Sequence, residues 1–176
     1  MKYCSECSAE LKFGKVDGDN KQRHFCSECG MIFYVNPKIV TLSIPVWEDQ
    51  VLIAKRDIEP GKGLWTLPGG FMEADETVEQ AVVRETKEEV CADVHELNMF
   101  AVVNVPQIHQ VHLFYKANLT KLEYSAGHET QDVKLISKKN YRPDEFSFES
   151  VRRVLNAFFD DPDLNETLHE TVILNK

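Results

Sequence analysis

The chain has 176 residues, 43% of them apolar and 28% charged, with 20 Lys and Arg against 29 Asp and Glu for a net charge of −9. That length suits one domain with a small appendage, and the apolar share is enough for a real core, which excludes intrinsic disorder. The acidity repels phosphate backbones and anionic bilayers, which excludes a nucleic-acid scaffold and leaves neither nucleic acid nor membrane among the expected partners.

The longest apolar stretches are cut by Glu48, Asp49, Lys55 or Arg56 and fall short of the roughly 20 consecutive apolar residues that span a bilayer. The start, Met1-Lys2-Tyr3-Cys4, lacks the apolar h-region of a signal peptide. The expected location is therefore a reducing cytoplasm, where clustered cysteines serve as metal ligands rather than disulfides.

Cys4-x2-Cys7 and Cys26-x2-Cys29 are separated by 18 residues, the arithmetic of two knuckles that bring four thiolates onto one tetrahedral zinc ion. Gly30 lets the backbone turn beneath the second pair, and Ser8 holds the same place in the first. The spacer, with Gly14, Asp17, Gly18, Asp19 and Asn20, reads as short strands around an exposed turn. A unit this small buries too little surface to fold alone, whereas zinc-thiolate binding is worth roughly 10 to 16 kcal/mol. Metal would then hold this zinc ribbon, residues 1–34, together; four buried free thiols are the alternative.

After Asn36-Pro37, the runs Ile39–Trp47 and Val51–Ala54 flank the polar turn Glu48-Asp49-Gln50 and predict a hairpin, with Pro45 at an edge or bulge. A Gly/Pro-rich loop, Glu59 to Gly63, leads into Leu64-Trp65-Thr66-Leu67-Pro68-Gly69-Gly70. No Gly or Pro interrupts Thr77 to Val90, and Thr77 with Gln80 has the spacing of a capping box, so this segment is a helix. Strands are expected at Leu97–Val105, Val111–Leu119 and Val133–Ile136, and a helix at Phe148–Phe159, where Val151, Leu155 and Phe158 recur with helical period. Strands interleaved with two helices predict an α/β or α+β sandwich, residues 35–176, beside the ribbon.

Glu85, Glu88 and Glu89 stand at i, i+3 and i+4 of the first helix and lie within about a 100° arc. At about 6 Å and an effective dielectric near 20, each like-charged pair costs on the order of 3 kcal/mol. A dry cluster would need protons or a divalent cation; a wet one is an ordinary solvated face.

From Gly70 to Ala92 the sequence reads GFMEADETVEQAVVRETKEEVCA, which resembles the Nudix hydrolase box G-x5-E-x7-R-E-U-x-E-E-x-G-U, U being aliphatic. Gly70, Glu76, Arg84, Glu85, Glu88 and Glu89 match in register, while Thr86 replaces an aliphatic residue and Cys91 the second glycine. At that glycine a left-handed turn is usual, so Cys91 implies a strain of about 1 to 2 kcal/mol. The paired CxxC, Tyr34-Val35-Asn36-Pro37-Lys38 and Trp65–Gly70 are similar to the zinc-ribbon branch of the family. The Ser-Gln-Pro-Trp-Pro-Phe-Pro-x-Ser signature of its NADH pyrophosphatases is not found in the corresponding stretch, Val103 to Val111.

The resemblance implies an α/β/α Nudix sandwich and hydrolysis of the diphosphate bond of a nucleoside diphosphate linked to another moiety, ADP-ribose or FAD, releasing AMP. It implies that Glu85, Glu88 and Glu89 bind Mg²⁺ or Mn²⁺ with the Gly70 carbonyl, and that Arg84 pairs with Glu76. The general base is then a box glutamate or one from a later loop, with Glu129 the loop candidate and an exposed loop charge its ordinary alternative. A homodimer is in keeping with related ADP-ribose hydrolases. A non-catalytic nucleotide sensor or RNA-binding module, and an enzyme for nucleoside triphosphates, are the rival readings.

His109 and His112 fall on an expected strand edge; substrate contact and ordinary packing are both open to them. Trp65 and Phe71 are candidates to stack on a base or to support the loop, Lys55 and Arg56 to meet phosphate or solvent, and Cys91 reads as a packing residue.

Overall fold

In the first 36 residues the two cysteine pairs sit on turns of matching geometry. Ser8 N–H donates to Cys4 O and Gly30 N–H to Cys26 O, while Cys4 N–H donates to Ala9 O and Cys26 N–H to Met31 O. Ser8 (φ 60°) and Gly30 (φ 77°) are both left-handed, so the serine accepts the conformation that glycine takes freely in the other turn. Between them β1 (Lys12–Lys15), β2 (Gln22–Phe25) and β3 (Ile32–Phe33) form an antiparallel sheet. The computed structural model describes residues 1–174, in two compact units that divide between Asn36 and Pro37.

The second unit runs β4 (Lys38–Trp47), β5 (Gln50–Arg56), β6 (Trp65–Thr66), β7 (Gly69–Phe71), α1 (Val78–Val90), β8 (Val94–Val105), β9 (Gln110–Leu119), β10 (Thr130–Ile136), α2 (Glu149–Asp160) and β11 (Leu168–Thr171). The sheet is ordered β10-β5-β4-β9-β8-β11, with β6 on β5 and β7 on β4. Leu42, Ile44, Val51, Ile53 and Phe114 face α2, whose Val151, Val154, Leu155 and Phe158 form one apolar stripe. The alternate residues Leu52 and Ala54 pack with Val90 at the end of α1. Period two in the strands thus serves two helices, one on each face, which is the expected α/β/α layering. Among the described residues no helix is long and apolar enough to cross a membrane.

Pro45 departs from expectation. It lies inside β4, a central strand, paired with Ala117 of β9. The other edge of β4 is laddered by β7 only at Val40 to Leu42 and by β5 only at Val46 and Trp47. Pro45 falls in the gap between them, where a missing N–H leaves no ladder bond unmade. The strand β11, parallel to β8, was not expected: four residues reading Leu-His-Glu-Thr carry too little pattern.

Candidate active site

Thr77 caps α1 as the sequence predicts: its hydroxyl accepts from Gln80 N–H, and Gln80 Oε1 accepts from Thr77 N–H. The rotation of the helix is set further along. Thr86 is fully buried, 2.7 Å from Ser43 Oγ on β4, and its hydroxyl donates to Val82 O at 2.6 Å. With Thr86 against the sheet, Glu85, Glu88 and Glu89 reach a cavity of about 710 Å³ that is also lined by Arg84, Gly70 and Glu129.

The backbone crowds this cluster. Gly70, paired with Thr41 of β4, has no room for a side chain, because a Cβ there would stand 2.6 Å from both Glu85 carboxylate oxygens. Gly69 N–H donates to Glu89 Oε2 at 3.0 Å. Arg84 holds Glu76 through two bonds of 2.7 and 3.0 Å, and also reaches Glu85 Oε1 at 2.7 Å, Glu88 Oε2 at 3.2 Å and Phe71 O at 3.1 Å. One guanidinium therefore ties the loop before α1 to the helix. Glu76 is held down at about 2 by that guanidinium and by the Glu73 N–H, while it does not itself line the cavity.

The end of α1 is closed by the segment between β9 and β10. Ser125 N–H donates to Val90 O and Gly127 N–H to Glu89 O, satisfying carbonyls that a helix end leaves free. A Cβ on Gly127 would overlap Glu88 O. This close approach carries His128 and Glu129 to the cavity. Cys91 is the helix C-cap at φ 51°, ψ 25° and is exposed. It is thus a strained cap rather than the packing residue expected, and the left-handed turn is kept without glycine.

Burial pushes the Glu89 carboxyl up to about 7, against the Gly69 N–H and with Glu85 and Glu129 adding repulsion. Burial also raises Glu85, against its bond to Arg84. The three carboxylates do not share the close spacing of the cysteines. Among the described residues, Cys4, Cys7, Cys26 and Cys29 alone form a metal-ligating group whose donor atoms all lie within 4.8 Å of one another. Hard oxygen donors, two of them held against their charge by burial, nonetheless suit a small divalent cation, as does the Gly70 backbone pressed against Glu85.

In the ribbon, the Sγ atoms of Cys4 and Cys29 are 3.6 Å apart and those of Cys7 and Cys26 3.4 Å, close to the ~3.8 Å edge of a tetrahedron with 2.3 Å zinc-sulfur bonds. The backbone N–H groups of Cys29 and Glu28 pull the Cys26 thiol down to about 7, as a thiolate ligand requires.

One other expectation is corrected, and several alternatives are decided. His112 is on β9, between β4 and β8, so it is buried in the sheet rather than at an edge; it bonds to Ser150 and Gln110. His109 caps a short 3₁₀ turn, Pro106–Ile108, off the cavity. Trp65 belongs to the core, with Lys134 Nζ 4.0 Å from its ring centre. Phe71 is exposed and lines the cavity; of the cationic pair, Arg56 lines it and Lys55 does not. Gln110, His128, Phe148 and Ser150 also line it, and nothing local in the sequence marks them, because three separate segments supply them.

Residues 37–158 match the NUDIX domain, and residues 2–35 match the Nudix N-terminal zinc ribbon. A crystal structure of a NUDIX hydrolase from Nitrosomonas europaea is 36% identical with a TM-score of 0.91, covering 100% of both chains. The ADP-ribose pyrophosphatase of Methanocaldococcus jannaschii is 30% identical over 122 residues, 67% of this chain and 72% of that protein. The NAD-capped RNA hydrolase NudC of Pseudomonas aeruginosa is 31% identical over 128 residues, 72% of this chain but 42% of that protein.

Proposed function

The chain belongs to the Nudix hydrolase family, and from that premise we propose that it hydrolyses the diphosphate bond of ADP-ribose or FAD, releasing AMP and the phosphorylated remainder. One observation carries the reading: Glu85, Glu88, Glu89, Gly70 and Glu129 line a single cavity of the size that takes a dinucleotide-like ligand. ADP-ribose stands first because a relative matched over 72% of its length bears that name.

Glu85, Glu88 and Glu89, with the Gly70 carbonyl, would hold Mg²⁺ or Mn²⁺. Such a cation, when bound, neutralises the diphosphate and activates water for in-line attack at phosphorus. Water adds to one phosphorus, the bridging P–O bond breaks, and the departing phosphate keeps the bridging oxygen. The water's proton goes to a carboxylate, for which a box glutamate and Glu129 are the two groups on the cavity. Arg84 keeps the Gly70 loop fastened to the helix. The four cysteines hold one zinc ion whose role is structural.

The match to NudC favours a second reading, in which the diphosphate belongs to a dinucleotide cap on RNA. A panel of ADP-ribose, FAD, NADH, NAD-capped RNA and nucleoside triphosphates with Mg²⁺, products identified by mass, tests both. Retained binding of ADP-ribose and FAD without AMP release from any compound overturns the hydrolase reading in favour of a nucleotide sensor.

A further inference from the structure

The cavity wall carries a hydrogen-bonded trio that the proposed hydrolysis does not use. His112, on the central strand β9, is 8% exposed. Its Nδ1 lies 3.0 Å from Ser150 Oγ at the start of α2, and its Nε2 lies 2.9 Å from Gln110 Oε1, two residues earlier on β9. Burial pushes the imidazole down to about 4, so near neutral pH it is uncharged and has a single N–H. Gln110 Oε1 only accepts, which places that N–H on Nε2; Nδ1 then accepts from the Ser150 hydroxyl. Donation runs from Ser150 to His112 to Gln110, and the Gln110 amide nitrogen is left with no partner among the described residues.

The fold has no need of this chain. Val40 on β4 and Val103 on β8 stand beside His112 in register, and Phe114, two residues on, belongs to the apolar core under α2. An aliphatic residue at 112 would extend that core without desolvating an imidazole. What the trio does supply is a fixed amide. Turning Gln110 over would require His112 to move its proton to Nδ1 and Ser150 to become an acceptor, so the group offered to the cavity is locked to the whole chain. Ile108 and Phe148 line the same cavity and offer apolar faces suited to a flat ring.

We propose that Gln110, oriented by His112 and Ser150, determines nucleoside specificity: its amide N–H₂ donates to an acceptor on the edge of a nucleobase whose face rests on Ile108 and Phe148. The inference rests on the reading that this cavity takes a nucleoside diphosphate. Gln110 touches the ligand; His112 and Ser150 are positioning residues.

The test is equilibrium binding to the full chain with Mg²⁺, using AMP and ribose 5-phosphate as probes, so the base contribution is the ratio of the two dissociation constants and turnover is not required. Gln110→Glu keeps an oxygen for His112 Nε2–H and the same shape but has no donor, and any repulsion of phosphate acts on both probes alike. Gln110→Leu removes both groups. The ratio is expected to fall about tenfold in each, the weight of one well-placed hydrogen bond, and at least threefold in Ser150→Ala. A ratio unchanged in Gln110→Glu and Gln110→Leu, or a wild type that binds AMP no tighter than ribose 5-phosphate, overturns the proposal. If the ratio responds as expected while the wild type hydrolyses nothing, the proposal stands and the hydrolase reading fails.

Discussion

Ser43 Oγ on β4 and Thr86 Oγ1 on α1 lie 2.7 Å apart in a fully buried contact, and the Thr86 hydroxyl donates to Val82 O. A serine facing the helix and a threonine at an otherwise aliphatic box position thus account for each other. Removing the Thr86 hydroxyl leaves that of Ser43 buried with no partner, at about 1 to 3 kcal/mol, whereas removing that of Ser43 leaves Thr86 its bond to Val82 O and costs less, and removing both is close to neutral. Thr86→Val is expected to lower unfolding free energy by about 1 to 3 kcal/mol, Ser43→Ala by less, and the double variant by less than their sum. Denaturant titration of the four proteins measures the coupling; strict additivity would mean the contact contributes nothing.

Cys91, as the helix C-cap at φ 51°, is exposed and contributes no packing that would be lost on truncation. Cys91→Gly relieves a left-handed strain of about 1 to 2 kcal/mol, offset by the ~1 kcal/mol of extra chain entropy that glycine brings to the unfolded state. A net gain of up to about 1 kcal/mol in thermal or chemical unfolding is expected. A loss would show that the cysteine makes a favourable contact.

What the sequence made legible follows from how local each signal is. The capping box, the two cysteine turns and the helical face of Glu85, Glu88 and Glu89 are set within a few residues, and the structure holds them where the spacing puts them. The partner of Thr86 was not legible, because 43 residues separate it from Ser43. His112 was misplaced for the same reason: β9 becomes a central strand only through its parallel pairing with β4, a long-range event that leaves no mark on β9. Glu129 reaches the cavity through the contact of Gly127 with the end of α1, which no motif in its own loop announces.

Zinc removal should unfold the first unit and leave the second folded. The four cysteine sulfurs already stand within 4.8 Å of one another, and the ribbon between them is a three-stranded sheet with few buried apolar side chains. Protein purified without added metal is expected to contain about one zinc per chain. A strong chelator should unfold the ribbon, exposing four titratable thiols, while the cooperative melting of the Nudix unit persists. A metal content near zero in natively folded protein would contradict this.

Acid should destabilise the protein through His112. Its folded value is about 4 against an ordinary 6.5, so between those values the unfolded chain takes up a proton that the folded chain refuses. Stability is full above pH 6.5 and is lost as pH falls toward 4, at up to about 1.4 kcal/mol per unit. Glu89, held up at about 7, acts in the opposite sense, being favoured when protonated, so the wild type alone does not isolate the histidine. His112→Phe should remove the histidine component, and the unfolding free energy of the wild type should fall by about 2 kcal/mol relative to that variant from pH 7 to pH 5. A difference independent of pH would show that His112 takes up its proton equally in the folded and unfolded chains.

The carboxylates of α1 give the most direct test of the chemistry. Glu88→Gln and Glu89→Gln keep size and hydrogen-bonding reach while removing ligand charge, and Glu88 is largely exposed, so its fold is not at stake. Turnover on ADP-ribose with Mg²⁺ should fall by at least about 100-fold in each, or roughly 2.7 kcal/mol of barrier. Glu129→Gln separates the two candidate bases, because Glu129 lines the same cavity from a loop outside the box. Loss of turnover there at unchanged Mg²⁺ affinity assigns the proton to Glu129, whereas near-normal turnover assigns it to the helix. In ¹⁸O-labelled water the label should enter the phosphate of one product and never a ribose hydroxyl, since attack is at phosphorus. Near-wild-type turnover in both Glu88→Gln and Glu89→Gln would mean that the three glutamates are only a solvated helix face.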